Sequence, residues 1–167
     1  PKITKKSLAA KIDLNSARQF LRWLDPATDV FDFAIEAKAY TTYRTGTLDE
    51  MANELITANK AGASIFVMIN ATNNLPGKKA SKEDPRYKAE SVKRIRAVFT
   101  DFDVPGPLRK DWPFPPSVVV ESSPQKWHVY FKLDADTDMA QGEFRGVQSK
   151  MIELFGGATG ESRGIAE

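Results

Sequence analysis

Residues 98–103 read Val-Phe-Thr-Asp-Phe-Asp, and residues 118–131 read Val-Val-Val-Glu-Ser-Ser-Pro-Gln-Lys-Trp-His-Val-Tyr-Phe. In the first stretch, Asp101 and Asp103 end an apolar run that predicts a buried strand. The second stretch predicts two strands joined by a serine-rich turn, and it contains His128, the only histidine of the chain. We expect the rest of the chain to be organised around these strands, because they carry the polar side chains of a possible metal-dependent phosphoryl-transfer site.

The acid pair has a spacing that suits metal binding. Asp101 and Asp103 are two residues apart, so on an extended strand both side chains point the same way, about 6.6 Å apart along the backbone. Such a pair can hold one or two divalent ions, and in two-metal phosphoryl transfer the ions lie about 3.5–4 Å apart. The structural alternative is a strand that runs into a turn, since aspartate is common there. Two unpaired carboxylates after an apolar run would be costly, which favours a cation or a basic partner.

Alternation along the second stretch places the histidine away from the core. Period two puts Trp127, Val129, Phe131 and Leu133 on one face, and His128, Tyr130 and Lys132 on the other. Ser122 and Ser123 offer hydroxyls and backbone N–H groups to a phosphate, Lys126 offers a charge, and His128 offers a hydrogen bond. The alternative is a simple hairpin turn with a surface histidine.

Length and composition predict one globular domain over residues 1–167, because 41% of the residues are hydrophobic. The chain has no cysteine, so a bound metal would be a hard cation such as Mg²⁺ or Mn²⁺, held by oxygen or by His128. No apolar run or signal peptide predicts membrane insertion, and we expect a soluble, cytoplasmic protein. The missing initiator Met and the open end of the sequence favour a catalytic fragment of a longer multidomain protein.

Charge is concentrated in one segment. The net charge is +2, but residues 78–96 hold eight basic residues against three acidic ones. A basic segment beside a carboxylate site suits a polyanionic ligand, either nucleic acid or nucleotide. The alternative is a solvated loop. The candidate nucleic-acid contacts in this segment are Lys78, Lys79, Arg94 and Arg96.

The remaining sequence predicts an α/β layer architecture. Helices are predicted at residues 14–24, at residues 48–59 behind a Thr47 to Glu50 capping box, and at residues 139–155 with Asp138 as the cap. Strands are predicted at residues 30–35, 40–44, 64–69, 94–103, 118–121 and 127–133, with a loop from about 70 to 91. We expect the strand at 64–69 to be buried on both faces and the strand at 94–103 to be the central strand. The inward side chains of the last helix should be Phe144, Val147, Met151, Leu154 and Phe155.

Other chemistries fit the sequence less well. A serine hydrolase is disfavoured because Ser122 and Ser123 lie in no Gly-x-Ser-x-Gly elbow and the single histidine would have to serve every role. No Gly-x-x-x-x-Gly-Lys motif of a P-loop is present. A non-catalytic RRM-like module that binds single-stranded nucleic acid stays open, as does a metal-dependent nuclease.

Several ordered blocks resemble the RepB-type primases of plasmids and phages, in the archaeo-eukaryotic primase, or primase-polymerase, superfamily. These blocks are residues 59–70, 96–103, 116–124 and 126–130, and the resemblance runs from about Leu48 to Phe155. It implies a two-layered α+β core of the RRM-like type, with a mixed or antiparallel sheet flanked by helices. It also implies an enzyme of plasmid, phage or prophage replication that uses Mg²⁺ or Mn²⁺, nucleoside triphosphates and a single-stranded DNA template, with a helicase partner.

The resemblance assigns roles to individual residues. Asp101 and Asp103 match the first motif of the family, as metal ligands. Lys126 and His128, with the preceding serines, match the second motif, which contacts the phosphates of the incoming nucleotide. The third motif is an acid followed by an Arg-Leu-Pro-Gly-like segment, which is absent here. Glu167 falls about where the third acid would be, and Glu161 is a second candidate.

Overall fold

The computed structural model of the chain describes residues 12–72, 91–134 and 136–155. Within these ranges the helices are α1 (Leu14–Leu24), α2 (Leu48–Lys60) and α3 (Gln141–Phe155). The strands are β1 (Val30–Glu36), β2 (Thr41–Thr47), β3 (Ser64–Val67), β4 (Ala71–Thr72), β5 (Val92–Arg94), β6 (Ala97–Phe102), β7 (Val118–Ser123) and β8 (Lys126–Lys132). None of the helices in these ranges is long and apolar enough to cross a membrane.

The strands of the described ranges form three small antiparallel sheets, in the orders β2-β1-β3, β4-β5 and β6-β8-β7. The mixed α/β content and the antiparallel pairing agree with the α+β class expected from the sequence. The strands at 64–69 and 94–103 differ from expectation. β3 is a half-buried strand at the edge of its sheet, and β6 is an edge strand that begins only at Ala97.

The first half of the described chain packs α1 and α2 on the sheet of β1 to β3. Asp13 caps α1 by accepting hydrogen bonds from the backbone N–H groups of Asn15 and Ser16. The predicted capping box of α2 is confirmed, because Thr47 and Glu50 each accept a hydrogen bond from the other's backbone N–H. The buried residues of this core are Leu21, Leu24, Phe31, Phe33, Ile35, Leu48 and Leu55.

The second half packs α3 on one face of the sheet of β6, β7 and β8. Its buried core is formed by Val92, Ile95, Val98, Val129, Phe131, Phe144 and Met151. The predicted inward face of α3 is partly wrong, since Val147 and Leu154 are exposed. The residue that turns inward is Gln148. The predicted cap at Asp138 is also wrong, because the helix begins at Gln141 and Glu143 accepts a hydrogen bond from the Ala140 N–H.

Gln148 closes the outer edge of β6. Its side-chain oxygen accepts a hydrogen bond from the Phe99 N–H at 3.2 Å, and its amide nitrogen donates to the Phe99 carbonyl. The side chain thus replaces a neighbouring strand at this position, and it satisfies backbone groups that an edge strand otherwise leaves unpaired.

The two halves are joined by a buried ion pair. Asp25, at the C-terminal end of α1, accepts a hydrogen bond from Arg96 Nε at 2.8 Å and pairs also with Arg94. Arg96 lies over the ring of Phe31, with 5.2 Å from its Cζ to the ring centroid. Burial alone would raise the pKa of Asp25, but the Arg96 charge and the hydrogen bonds that Asp25 accepts outweigh burial and lower it.

Candidate functional site

Two carboxylates and two basic side chains meet at one end of the β6–β8 ladder. Asp101 and His128 are directly paired across the two strands, and Asp101 Oδ1 lies 3.2 Å from His128 Nε2. Beyond this pair, Asp103 Oδ1 lies 3.7 Å from Lys126 Nζ. Because alternate residues share a face, all four side chains lie on the same face of the sheet. This is the face opposite the Val129 and Phe131 core, as the alternation predicts.

Asp101 has an unused acceptor. Its Oδ1 is buried and accepts no hydrogen bond from the described residues, although His128 Nε2 lies 3.2 Å away. A buried carboxylate oxygen without a donor is unfavourable unless a cation or a ligand satisfies it. Asp103, in contrast, is 64% exposed at its side chain and lies at the open end of the site.

Tyr130 supports the histidine from the interior. Its hydroxyl lies 3.3 Å from His128 Nδ1, and its ring packs on Phe20 and Trp23 of α1 and on Phe99 of β6. Burial, and secondly the Asp101 charge, raises the pKa of Tyr130, so the phenol keeps its proton at neutral pH. Helix α1 therefore covers the Tyr130 end of this face.

The serine-rich segment is a tight hairpin next to the site. Ser122 and Ser123 end β7 and are exposed, and only Pro124 and Gln125 lie between the paired residues Ser123 and Lys126. Gln125 has a positive φ of 61°, a left-handed conformation that residues other than glycine adopt rarely. Its N–H donates to Glu121 Oε1 at 2.8 Å, and its carbonyl accepts from the Gly106 N–H at 2.9 Å. These bonds fix the turn on both sides.

The carboxylates of Asp101 and Asp103 could supply some of the ligands of a hard cation. Carboxylates are the ligands that Mg²⁺ and Mn²⁺ prefer, and the unsatisfied Asp101 oxygen faces the same side of the sheet as Asp103. Within the described ranges, no group of three His, Cys, Asp or Glu side chains is arranged to hold a metal. The expected third ligand, Glu167, and the second candidate, Glu161, lie outside the described residues.

The basic residues expected to contact nucleic acid differ in how far their side chains are exposed. The Arg96 side chain is 7% exposed and its charge is used by Asp25, so it is not offered to a phosphate in this structure. Arg94 shares Asp25 but keeps 38% of its side chain exposed. Lys78 and Lys79 lie outside the described residues, as do residues 73–90 of the expected basic loop.

Sequence reasoning did not assign roles to Tyr130, Gln148 and Asp25. For Tyr130 a signal was present, because the alternation had placed it on the same face as His128, two residues away. The hydrogen-bond partners of Gln148 and Asp25 are distant in sequence, so no local sequence pattern predicts them.

The comparisons with known proteins give no neighbour. No protein-family model, no curated protein and no solved structure matches the chain.

Proposed function

We propose that the chain is the catalytic core of a DNA primase or primase-polymerase, a template-dependent nucleotidyltransferase of plasmid, phage or prophage replication. The observation that carries the proposal is the register of β6 and β8, which puts Asp101 beside His128 and Asp103 beside Lys126 on one face. A carboxylate pair next to two phosphate-binding side chains suits transfer of a nucleotidyl group. The sheet of β6 to β8 with α3 would then belong to an RRM-like core.

Each residue has a defined part in this reaction. Asp101 and Asp103 would hold Mg²⁺ or Mn²⁺, which supplies Lewis-acid stabilisation of the attacking 3′-hydroxyl and of the leaving group. Lys126 would neutralise the triphosphate, and His128 would donate a hydrogen bond to it. Ser122 and Ser123 would add hydroxyl donors at the exposed hairpin.

The proposed DNA partner is a single-stranded template that the protein holds by its phosphates. Single-stranded template phosphates would be bound by Arg94, Lys78 and Lys79, in contacts that are independent of sequence and sensitive to salt. Arg96 does not belong to this set, because it is buried against Asp25. A helicase domain or protein would deliver the template.

The test is nucleotide incorporation by the 167-residue chain on single-stranded DNA with Mg²⁺ or Mn²⁺, using both ribonucleotides and deoxyribonucleotides. We expect primer synthesis or extension by the wild type, its loss in the Asp101→Ala and Asp103→Ala variants, and a fall of about 10²-fold or more in His128→Ala. Asp134→Ala is the matched control, since this exposed aspartate follows β8 outside the site.

The same assay separates the competing functions. Shortening of the DNA instead of extension would identify a nuclease. Binding of single-stranded DNA that is unchanged by EDTA, without any incorporation, would identify a non-catalytic binding module. Full incorporation by the double aspartate variant would exclude the assigned site.

A further inference from the structure

The hydrogen bond between Tyr130 and His128 specifies which nitrogen of the imidazole carries the proton. Tyr130 is buried, and its ring packs on the rings of Phe20, Trp23 and Phe99. Its hydroxyl oxygen lies 3.3 Å from His128 Nδ1. The geometry does not by itself say which group donates, because either a phenol or an imidazole N–H can do so.

The surroundings decide the direction of this bond. The Tyr130 phenol is buried, so its O–H needs a hydrogen-bond acceptor in the interior. The nearby nitrogen, Nδ1, is that acceptor when the imidazole is neutral. The imidazole proton then resides on Nε2, which is beside Asp101 but makes no hydrogen bond with it.

We propose that Tyr130 is a positioning residue that donates to His128 Nδ1 and thereby holds the imidazole as the Nε2–H form beside Asp101. An N–H fixed in this place is ready to donate to an anionic oxygen. The consequence for a triphosphate rests on the proposed function, whereas the hydrogen bond itself does not. Rigid placement of a donor before the ligand arrives strengthens its contribution.

The first test observes the histidine directly and does not depend on activity. His128 is the only histidine, so an untagged chain labelled with ¹⁵N-histidine gives ring signals from one residue. At a pH where the ring is neutral, we expect a protonated Nε2 and a non-protonated Nδ1 in the wild type. In Tyr130→Phe the Nδ1 resonance should move downfield, because it loses a hydrogen-bond donor.

The control for this test is Tyr43→Phe, which removes a buried hydroxyl from β2 in the sheet of β1 to β3 and should leave both ring resonances in place. An Nδ1 resonance that stays unchanged in folded Tyr130→Phe overturns the proposal. So does a protonated Nδ1 in the neutral wild type.

The second test is a double-mutant cycle in the incorporation assay. Tyr130→Phe should lower kcat/KM for the nucleotide about three- to ten-fold, the effect of one neutral hydrogen bond. In a His128→Ala background the same change should have almost no further effect, because it acts through the imidazole. An equal loss in both backgrounds would mean a merely structural role and would reject the proposal. If the wild type incorporates no nucleotide, the proposed function fails, and the NMR result still decides the role of Tyr130.

Discussion

Asp101 and His128 face each other across the β6–β8 ladder, with 3.2 Å between Asp101 Oδ1 and His128 Nε2. A shift of one residue in this register would turn one of the two side chains to the opposite face. The register is held by the core on the other side of the same strands, where Val98 and Phe131 are also directly paired. The packing of the core therefore sets the geometry of the site.

If the two aspartates hold a divalent ion, that ion will lie close to the histidine. We expect paramagnetic Mn²⁺, added in small amounts, to broaden the ring signals of His128 in the wild type. Mg²⁺ should reverse the broadening by competition, because both ions prefer oxygen ligands. The measurement is the ¹H NMR spectrum of the single histidine during the titration.

The controls for the Mn²⁺ titration are charge variants on the same chain. Asp101→Asn and Asp103→Asn should each weaken the broadening, and Asp134→Asn should retain it. Equal broadening in all four proteins would mean that Mn²⁺ binds elsewhere.

The ion pair between Asp25 and Arg96 should be the most sensitive contact between the two halves. Asp25→Ala leaves the buried Arg96 guanidinium without its carboxylate, and we expect a loss of about 3–5 kcal/mol in the free energy of unfolding. Arg94→Ala removes the more exposed partner of the same carboxylate and should cost about 1 kcal/mol or less. Urea denaturation measures both. Equal losses would show that Arg96 is not the principal partner.

Because its pKa is lowered on folding, Asp25 should also make the free energy of unfolding depend on pH. The pKa of Asp25 is lowered in the folded protein, so its contribution is present above the unfolded pKa of about 3.9 and is lost as pH falls through the folded pKa. Wild-type stability should therefore decline more steeply than that of Asp25→Asn as the pH is lowered through this acidic range. Parallel pH profiles from urea denaturation would contradict this assignment.

The side-chain amide of Gln148 should stabilise the folded protein, because it bonds backbone groups of β6 that a neighbouring strand would otherwise pair. Gln148→Leu keeps the approximate size but leaves the Phe99 N–H and carbonyl without their partner, and we expect a cost of about 1–3 kcal/mol. Ser149→Ala, at the next and exposed position, should change stability by no more than about 0.5 kcal/mol. Thermal unfolding of the two variants gives the comparison, and a neutral Gln148→Leu would exclude the edge-closing role.

At position 125, glycine should be more stabilising than alanine, which is the reverse of their usual order inside helices and strands. Its φ of 61° costs a residue with a Cβ about 1 kcal/mol, whereas glycine adopts it freely. Gln125→Gly should therefore unfold at higher urea concentration than Gln125→Ala. Equal or opposite midpoints would indicate a turn of different geometry.

The sequence alone determined the local elements. The bounds of α1, the capping box of α2 and the two faces of β8 follow from side-chain periodicity and from hydrogen bonds between residues a few positions apart. The same alternation predicted that His128 lies away from the core. These features depend on neighbours in the chain, which a pattern in the sequence records directly.

The tertiary structure decided which of these elements meet. Asp25 and Arg96 are 71 residues apart, and Phe99 and Gln148 are 49 apart, so no local pattern relates them. The burial of Arg96, the cover that α1 provides over Tyr130, and the pairing of Asp101 with His128 all depend on packing across such distances. The sequence contains the charged groups. Which of them form pairs depends on which apolar faces pack together, because burial of those faces brings the elements into contact.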